Sequence, residues 1–217
     1  MKFDFKSNDF SQNDINYIRA YLREKYPNRP EIDNHKDNNE FRYVYPELQF
    51  KIVNGNLSII GHNSGIEILT DMVAGNLDEV NIQGDIKKVN NIQLQSFQEK
   101  FGLANKKIEY KFIQPWMALN EKNHKKLHRT PVSEWDEELC RILKGNFMSI
   151  SRGFDYWIPD LDELEVEGSF DPDTTEFKGK EMDIFYGKFE TNFYIPDYLG
   201  IGKQVARGYG TVKKINT

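Results

Sequence analysis

The chain has 217 residues, of which 38% are hydrophobic and 29% charged, an ordinary balance for a globular protein. No segment approaches the ~18 apolar residues that a membrane span needs, and the N-terminal sequence MKFDFKSNDF lacks the apolar core of a secretory signal. Cys140 is the only cysteine, which excludes an internal disulfide and a cysteine-based zinc site. These features predict a cytoplasmic protein with no membrane partner.

The charge is unevenly distributed along the chain. The net charge is −5, which by itself argues mildly against a nucleic-acid partner. However, residues 160–183 carry ten acidic residues and two lysines, whereas residues 200–217 carry four basic residues and no acidic one. A second basic run, KNHKKLHR, covers residues 122–129, and a solvated face is its simplest interpretation. The basic C-terminal segment is therefore the better candidate for a polyanion-binding surface.

In chain order, the first predicted elements are a strand and a helix. Residues 1–6 alternate between apolar and polar types, as a half-buried strand does. Ser11 and Asp14 form a capping-box-like start for a helix that runs to about Tyr26. Its apolar face consists of Ile15, Ile18 and Leu22. Prolines 27 and 30 end this helix, and a polar loop through residues 33–39 follows.

A hairpin and a second helix come next. Strands at 41–53 and 57–60 flank Asn54-Gly55, a strong signal for a type I′ turn. Ser64 begins a helix that Gly75 ends, and the last strand lies near residues 79–83. The predicted inner face of this helix comprises Ile66, Leu69, Met72 and Val73. The resulting order, βαββαβ, is that of a ferredoxin-like unit, which many RNA-binding modules share with proteins of other functions.

The second half repeats this pattern in a degraded form. A strand at 107–113 is followed by a helix at 134–151, whose inward residues are predicted to be Trp135, Leu139, Ile142, Leu143 and Phe147. Strands at about 163–170 and 176–191 lead to a glycine-rich segment, which replaces the second helix, and to a final strand at 209–215. The chain is therefore predicted to be an α+β protein with two tandem ferredoxin-like domains, at residues 1–105 and 106–217.

Two histidines of the first domain are candidates for catalysis. His35 lies in the loop before the second strand, and His62 lies in the loop after the third strand. Both loops open at the same end of the sheet, and the hairpin makes their strands neighbours. Two imidazoles with pKa values near 6.5 suit RNA cleavage, because one accepts the proton of a ribose 2′-OH while the other protonates the departing 5′-oxygen. Arg42 and Lys51 are candidate cations for the phosphoryl charge.

Metal-dependent chemistry has weaker support in the sequence. The D-x-D pairs at 160–162 and 171–173 lie in predicted acidic loops, where a solvated surface is the simpler interpretation than a magnesium site. His124 and His128 are four residues apart and share a face of any helix there, but no third zinc ligand is apparent. The sequence thus predicts neither a metal nor a cofactor.

The glycine-rich segment GIGKQVARGYG at 200–210 is the strongest signal for a phosphate-binding backbone. Glycines allow close approach and positive φ values, and exposed N–H groups can then hold phosphate oxygens. It matches neither a P-loop nor a dinucleotide-binding turn. The residues predicted to contact RNA are Gly200, Gly202, Lys203, Arg207, Gly208, Tyr209, which would stack on a base, Gly210 and Lys213.

Three segments together indicate a family. FYGKFETNFYIPDYLGIGKQVARGYGT at 185–211 resembles the C-terminal signature of the CRISPR-associated endoribonucleases of the Cas-six family, in the RAMP superfamily, and most closely of its b-type branch. QPWMALNEKNHKKL at 114–127 and FRYVYPELQFKIVNGNLSIIG at 41–61 are similar to the opening of the second domain and to the first-domain hairpin of that branch.

The resemblance implies metal-independent cleavage of precursor CRISPR RNA within its repeats, giving 2′,3′-cyclic phosphate and 5′-hydroxyl ends. It also implies that first-domain histidines carry the activity and that a His-x-His pair precedes the hairpin. Here DNH at 33–35 retains His35 but has Asp33 in place of the first histidine. The implied partner is CRISPR repeat RNA, with a CRISPR effector complex as a further possible partner, and the protein is expected to be a monomer or a homodimer.

Two alternatives stay open at this point. A non-catalytic RAMP-type RNA-binding subunit would keep the glycine-rich segment without a working histidine pair. A ferredoxin-like interaction protein with no role in nucleic-acid binding is disfavoured by the combination of basic and glycine residues in the tail.

Overall fold

The structure, a computed structural model, describes residues 1–5, 10–32, 44–75, 77, 79–88 and 92–215. The chain divides into two compact units, one comprising Met1–Gln98 with Ala206–Gly208 and the other comprising Glu99–Val205 with Tyr209–Thr217. The boundary predicted after residue 105 falls inside a strand, which runs from Gly102 to Phe112. Within the described ranges, no helix has the length and apolar character needed to cross a membrane.

The first unit has the predicted βαββαβ order with one addition, a two-stranded hairpin inserted before the last strand. Its elements are β1 (Lys2–Phe5), α1 (Asp14–Lys25), β2 (Leu48–Val53), β3 (Asn56–Gly61), α2 (Ser64–Ala74), β4 (Glu79–Ile82), β5 (Asp85–Lys88) and β6 (Ile92–Gln95). The main sheet has the order β2-β3-β1-β6, and every neighbouring pair is antiparallel. This is the ferredoxin-like arrangement expected from the sequence.

Local signals account for the start of α1 and for the hairpin. The backbone N–H of Ser11 donates to the Asp14 carboxylate at 2.7 Å, which is one of the two contacts of a capping box, but the helix begins at Asp14 with Asn13 as its N-cap residue. Asn54 and Gly55 have φ values of 51° and 76°, as a type I′ turn requires. The apolar face of α1 is buried as predicted, in a core whose members are Phe10, Ile15, Ile18, Leu22, Ile32, Leu48, Phe50, Leu57, Ile59, Ile68, Leu69, Met72, Leu77, Val80 and Ile82.

Two predictions for the first unit were wrong. The fourth strand of the main sheet is β6, whereas β4 pairs only with β5 in a separate two-stranded sheet. The turn at Gln83-Gly84 closes this extra hairpin with φ values of 54° and 93°. The inner face of α2 includes Ile68 rather than Ile66, which is 39% exposed. The predicted residues 41–43 of the first hairpin strand lie outside the described residues, and β2 begins only at Leu48.

The second unit repeats the sheet and lacks the second helix. Its elements are β7 (Gly102–Phe112), α3 (Glu121–Leu127), α4 (Trp135–Gly153), β8 (Val166–Phe177), β9 (Lys180–Tyr194) and β10 (Val212–Lys214). The sheet order β10-β7-β9-β8 is antiparallel throughout and repeats that of the first unit. Between β9 and β10 the chain, which is described in full there, forms only a short 3₁₀ turn, Val205–Arg207. The replacement of the second helix by the glycine-rich segment is thus confirmed.

Aromatic packing holds α4 against this sheet. Four of the five residues predicted to face inward are buried, and Trp135 is half-buried. Phe147 stacks on Phe193 with ring centroids 5.5 Å apart and planes 8° apart. The strand β8 is longer than predicted and β9 begins and ends later than predicted, because the turn lies at Lys178-Gly179. The D-x-D pair at 171–173 therefore lies in a strand. A loop was predicted there because this exposed, acidic part of the strand has a composition typical of loops.

Candidate functional site

The loop that carries His62 is tied to the segment just before β2. The His62 backbone N–H donates to the carbonyl of Glu47 at 3.0 Å, and the Ser64 hydroxyl donates to the Glu47 carboxylate. Asn63 between them adopts a φ of 49°, which lets the chain turn directly from β3 into α2. The segment just before β2 and the loop after β3 therefore meet at one end of the sheet, whereas the predicted loop at 33–39, with His35, lies outside the described residues.

The His62 side chain is largely buried in this loop, with 8% of its surface exposed. Its Nε2 lies 3.1 Å from the carbonyl oxygen of Pro46, and its ring lies 5.6 Å from that of Tyr45. Because a carbonyl only accepts hydrogen bonds, Nε2 must carry the proton, and the neutral ring then has its lone pair on Nδ1. Burial lowers the pKa of His62 and so favours the neutral ring.

The other predicted groups of this site differ in what can be said of them. His35 and Arg42 lie outside the described residues. Lys51 lies in β2, opposite Ser58 of β3, and its side chain is fully buried. This burial lowers the pKa of Lys51 to about 7. A buried amine with this pKa does not present a permanent charge at the surface, so the role proposed for Lys51 as a phosphate-facing cation is not supported.

In the glycine-rich segment, two glycines are required by packing within the protein. Gly202 has a φ of 92°, and a Cβ there would lie 2.5 Å from Nε1 of Trp116. Gly210 has a φ of 65°, and a Cβ there would lie 1.9 Å from the carbonyl oxygen of Ile201. Neither distance is compatible with a side chain. These glycines therefore allow one part of the chain to pack closely against another. The sequence had instead suggested that they allow the backbone to approach a phosphate.

The backbone donors of this segment are also partly used inside the protein. Lys203 donates its N–H to the carbonyl of Met117 at 3.0 Å, and Gly210 donates to that of Pro115 at 2.7 Å. Gly200 forms a bridge with Thr211, a buried residue of the following segment. These contacts remove Lys203 and Gly210 from the set of N–H groups available to a phosphate.

Tyr209 and Gly208 are buried as well. Tyr209 is 8% exposed and meets Phe177 edge to face, with ring centroids 6.1 Å apart. The prediction that Tyr209 stacks on a base does not fit this position, because its ring is already covered by protein. Gly208 has a φ of 91°, and a Cβ there would lie 3.0 Å from the carbonyl oxygen of Phe50.

The basic side chains of the segment are the groups that remain available at the surface. Lys203 is exposed, although partial burial of its ammonium group lowers the pKa of Lys203. Arg207 is half-buried, and its Nε donates to the side chain of Asn16 at 2.8 Å. Lys213 holds its ammonium group 5.6 Å from the centre of the Tyr198 ring. Lys203 and Gly210 can therefore contribute no backbone N–H to a polyanion, whereas the side chains of Lys203 and Lys213 carry positive charge there.

A second group of histidines is present on α3. His124 and His128 have ring centroids 4.4 Å apart, and both direct Nε2 at the same oxygen of Asp183, at 3.3 Å and 2.9 Å. The third partner that the sequence did not reveal is therefore Asp183, which lies 55 residues after His128. Only the folding of β9 beside α3 brings these residues together, so no local spacing pattern could have identified them.

Comparisons with known proteins agree with the two-unit architecture. Residues 1–100 match the Cas6b N-terminal domain, and residues 102–215 match the Cas6b C-terminal domain. An uncharacterised protein of Methanocaldococcus jannaschii is 36% identical over 140 residues, which are 64% of this chain and 95% of that protein. These matches cover both halves of the chain.

Two solved structures extend the similarity to nearly the whole chain. A Cas6b crystal structure is 34% identical with a TM-score of 0.91, and the alignment covers 99% of this chain and 97% of the other. A second structure, titled as the CRISPR RNA processing endoribonuclease Cas6b, is 30% identical with a TM-score of 0.76 and the same coverage. Because both family domains match in order and over almost every residue, this chain belongs to the Cas6b family.

Proposed function

We propose that this protein is an endoribonuclease that cuts precursor CRISPR RNA within its repeats. The observation that carries the proposal is the continuous match to both Cas6b domains, together with 30% identity to a structure whose title describes CRISPR RNA processing. The position of His62 adds a chemical argument. It lies in a loop that is fastened to the end of the segment containing His35.

In the proposed reaction, the 2′-oxygen of a ribose attacks the adjacent 3′-phosphate and the 5′-oxygen of the next nucleotide departs. One histidine accepts the 2′-OH proton and the other protonates the leaving oxygen, so that a 2′,3′-cyclic phosphate and a 5′-hydroxyl end form without a metal ion. We assign the base role to His62, because burial lowers the pKa of its ring and so favours the neutral form, which can accept a proton. His35 is then the acid.

A second function has a specific observation in its favour. His62 is only 8% exposed and is bonded to Pro46, and Asp33 occupies the position of the first histidine of the His-x-His pair. A histidine held in this way suits a positioning role as well as a catalytic one. If it only positions the loop, and if His35 lacks a partner, the protein is a non-catalytic subunit that binds CRISPR RNA.

Cleavage of a repeat RNA in the presence of EDTA separates the two functions. We expect a single cut that the wild type makes without metal, and a loss of at least about 10²-fold in rate for His35→Ala and for His62→Ala. Both variants should bind RNA with unchanged affinity. Glu67→Ala, which removes an exposed side chain from the first turn of α2, is the matched control and should cut normally.

The outcomes of this assay are distinct. Intact RNA that is nonetheless bound by the wild type contradicts the enzyme and supports the binding subunit. A normal rate in His62→Ala with loss in His35→Ala removes His62 from the chemistry. A 3′-phosphate that is never cyclic, or a cut that requires added metal, contradicts the proposed mechanism.

RNA binding by the tail is tested by its basic side chains. Lys203→Ala and Arg207→Ala should each weaken RNA binding, and each lost phosphate contact should reduce the slope of log affinity against log salt by about 0.7 to 0.9. Lys213→Ala should do the same if this side chain also contacts a phosphate. Lys106→Ala, at an exposed lysine of β7, removes the same charge from outside the glycine-rich segment and is the control. Equal affinities in all four variants would contradict the assignment.

A further inference from the structure

The cluster of His124, His128 and Asp183 has the geometry of a metal site. The two Nε2 atoms lie 3.3 Å and 2.9 Å from one carboxylate oxygen, and one ligand atom from each of the three residues lies within 4.8 Å of the others. Ligand atoms around a tetrahedral zinc ion, bound at about 2.0–2.1 Å, are themselves about 3.3–3.4 Å apart. Shifts of a few tenths of an ångström up to about 1 Å would therefore place an ion between the three groups.

Regular elements hold these three side chains in place. The side chain of Asn120 accepts from the N–H of Asn123 at 2.7 Å and caps α3, while buried Leu127 anchors the same helix. His124 lies in this helix and His128 is its C-cap residue, whose backbone N–H donates to the carbonyl of His124 at 3.1 Å, so the two rings lie one turn apart. Asp183 lies in β9, where it pairs in register with Thr174 of β8. Ligands on a capped helix and a paired strand are better fixed than ligands on loops.

The environment of the rings supports their orientation. The ring of His128 meets that of Trp135 at 77°, with centroids 5.7 Å apart. The indole N–H of Trp135 donates to the carbonyl of Thr130 at 3.1 Å, which fixes the ring against which His128 rests. The histidines are about half exposed, at 53% and 45%, and Asp183 is 21% exposed. An ion thus has access from solvent, and a water molecule has room as a fourth ligand.

Two ion pairs partly offset the positive charge around these residues. The site lies in the basic run 122–129, which would repel an ion. However, Lys125 is paired with Glu121 at 2.6 Å, and Lys126 is paired with Glu138 at 2.5 Å. With Asp183 as a direct ligand, the local charge is partly compensated.

We propose that His124, His128 and Asp183 form a binding site for a divalent first-row transition metal, with Zn²⁺ as the physiological choice. Two imidazoles and one carboxylate favour such an ion over Mg²⁺ or Ca²⁺, which prefer oxygen ligands. Three protein ligands with one open position match zinc coordination. The ion would cross-link α3 to β9 within the second unit. The site is independent of the proposed RNA cleavage, which uses other residues.

Zinc titration of the untagged full chain, freed of metal by EDTA and dialysis, tests this site. We expect calorimetry to show one saturable Zn²⁺ per chain. Binding should be at least about tenfold weaker in His124→Ala, His128→Ala and Asp183→Asn. Zinc should raise the thermal midpoint of the wild type but not of these three variants. Co²⁺ in place of Zn²⁺ should give the visible absorption of a four- or five-coordinate site. Asp173→Asn removes a neighbouring acid of the β8–β9 hairpin and should bind zinc like the wild type.

Each other result counts against the site. If the wild type binds no more Zn²⁺ than a variant lacking all three side chains, the cluster is a metal-free histidine–aspartate pair. If Asp183→Asn and Asp173→Asn weaken binding equally, the ion responds only to local negative charge. Circular dichroism of each variant shows whether the fold is retained. Since the assay contains no RNA, its failure leaves the proposed cleavage unaffected, and failure of cleavage leaves the site unaffected.

Discussion

Replacing Gly210 by alanine should destabilise the protein. The loss should exceed that for a glycine that also has a positive φ but has open space around its Cβ position. At a φ of 65° an alanine costs about 1–2 kcal/mol relative to glycine, whatever the surroundings. Its Cβ would also lie 1.9 Å from the carbonyl oxygen of Ile201, so this backbone has to move by more than about 1 Å. That movement disturbs two hydrogen bonds, from Ile201 N–H to the Gly210 carbonyl at 2.9 Å and from Gly210 N–H to Pro115 at 2.7 Å.

These costs can be added to an expected magnitude. Each disturbed hydrogen bond contributes about 1 kcal/mol, so the total loss for Gly210→Ala is about 3–4 kcal/mol. For a chain of this size such a loss lowers the thermal midpoint by roughly 6–16 °C. Thermal and denaturant unfolding followed by circular dichroism measures it directly.

Two other glycines of the second unit separate the causes. Gly179 has a φ of 71° and open space around its Cβ position, so Gly179→Ala should show only the backbone cost of about 1–2 kcal/mol. Gly145 lies within α4, also with open space, and Gly145→Ala should stabilise the protein by about 0.5–1 kcal/mol. If Gly210→Ala and Gly179→Ala cost the same, the close packing of the tail is refuted and its glycines would again be free to serve RNA.

Two titratable groups give predictions for stability against pH. Glu138 is 8% exposed and accepts from Lys126 and Arg141, which lower the pKa of Glu138 to about 2 from an ordinary 4.5. The stabilisation by the ionised Glu138 is present above about pH 4.5 and is lost as the pH falls towards 2. Glu138→Gln should therefore lower the free energy of unfolding by about 1–2 kcal/mol at pH 7, a value reduced because its partners are exposed, and by little near pH 2. Denaturant unfolding at the two pH values measures the difference. Lys51 has the opposite effect, because its pKa falls from 10.5 to about 7 on folding. Between these pH values the unfolded chain binds more protons than the folded chain. The free energy of unfolding should therefore rise with pH there, by up to about 1.4 kcal/mol per pH unit. Lys51→Met should abolish that slope between pH 7 and 9, and an unchanged slope would show that other groups cause it.

The sequence predicted best where the signal was local. The capping contact between Ser11 and Asp14, the turn at Asn54-Gly55 and the 3.6-residue spacing in α4 each depend on neighbours a few residues apart. Such predictions hold in the folded protein because the residues that form the sequence pattern are the same residues that make the contact. The family resemblance, too, followed from contiguous segments and is confirmed by the two domain matches.

The sequence predicted least where the partner is distant along the chain. The strand β4 lay at the predicted position, but the turn at Gln83-Gly84, where Gly84 N–H donates to the Asn81 side chain at 2.8 Å, directs it into a hairpin instead of the main sheet. The fourth place in that sheet goes to β6, whose register against β1 has no local signature. Tyr209 likewise lies among glycines and polar residues in the sequence, and the residues that cover its ring are distant along the chain, among them Phe177 and Met117.

The glycine-rich tail shows how a correct family assignment can rest on a motif whose physical role is different from the one first inferred. Gly202 and Gly210 are fixed by contacts of 2.5 Å and 1.9 Å that any side chain would make with the protein itself. A pattern maintained for packing identifies a fold as reliably as one maintained for a ligand, because either role forbids substitution. The motif therefore identifies the Cas6b family through its backbone, whereas Lys203, Arg207 and Lys213 are proposed to contact RNA through their side chains. For this reason the glycine variants should change stability first, and the basic variants should change affinity at constant stability.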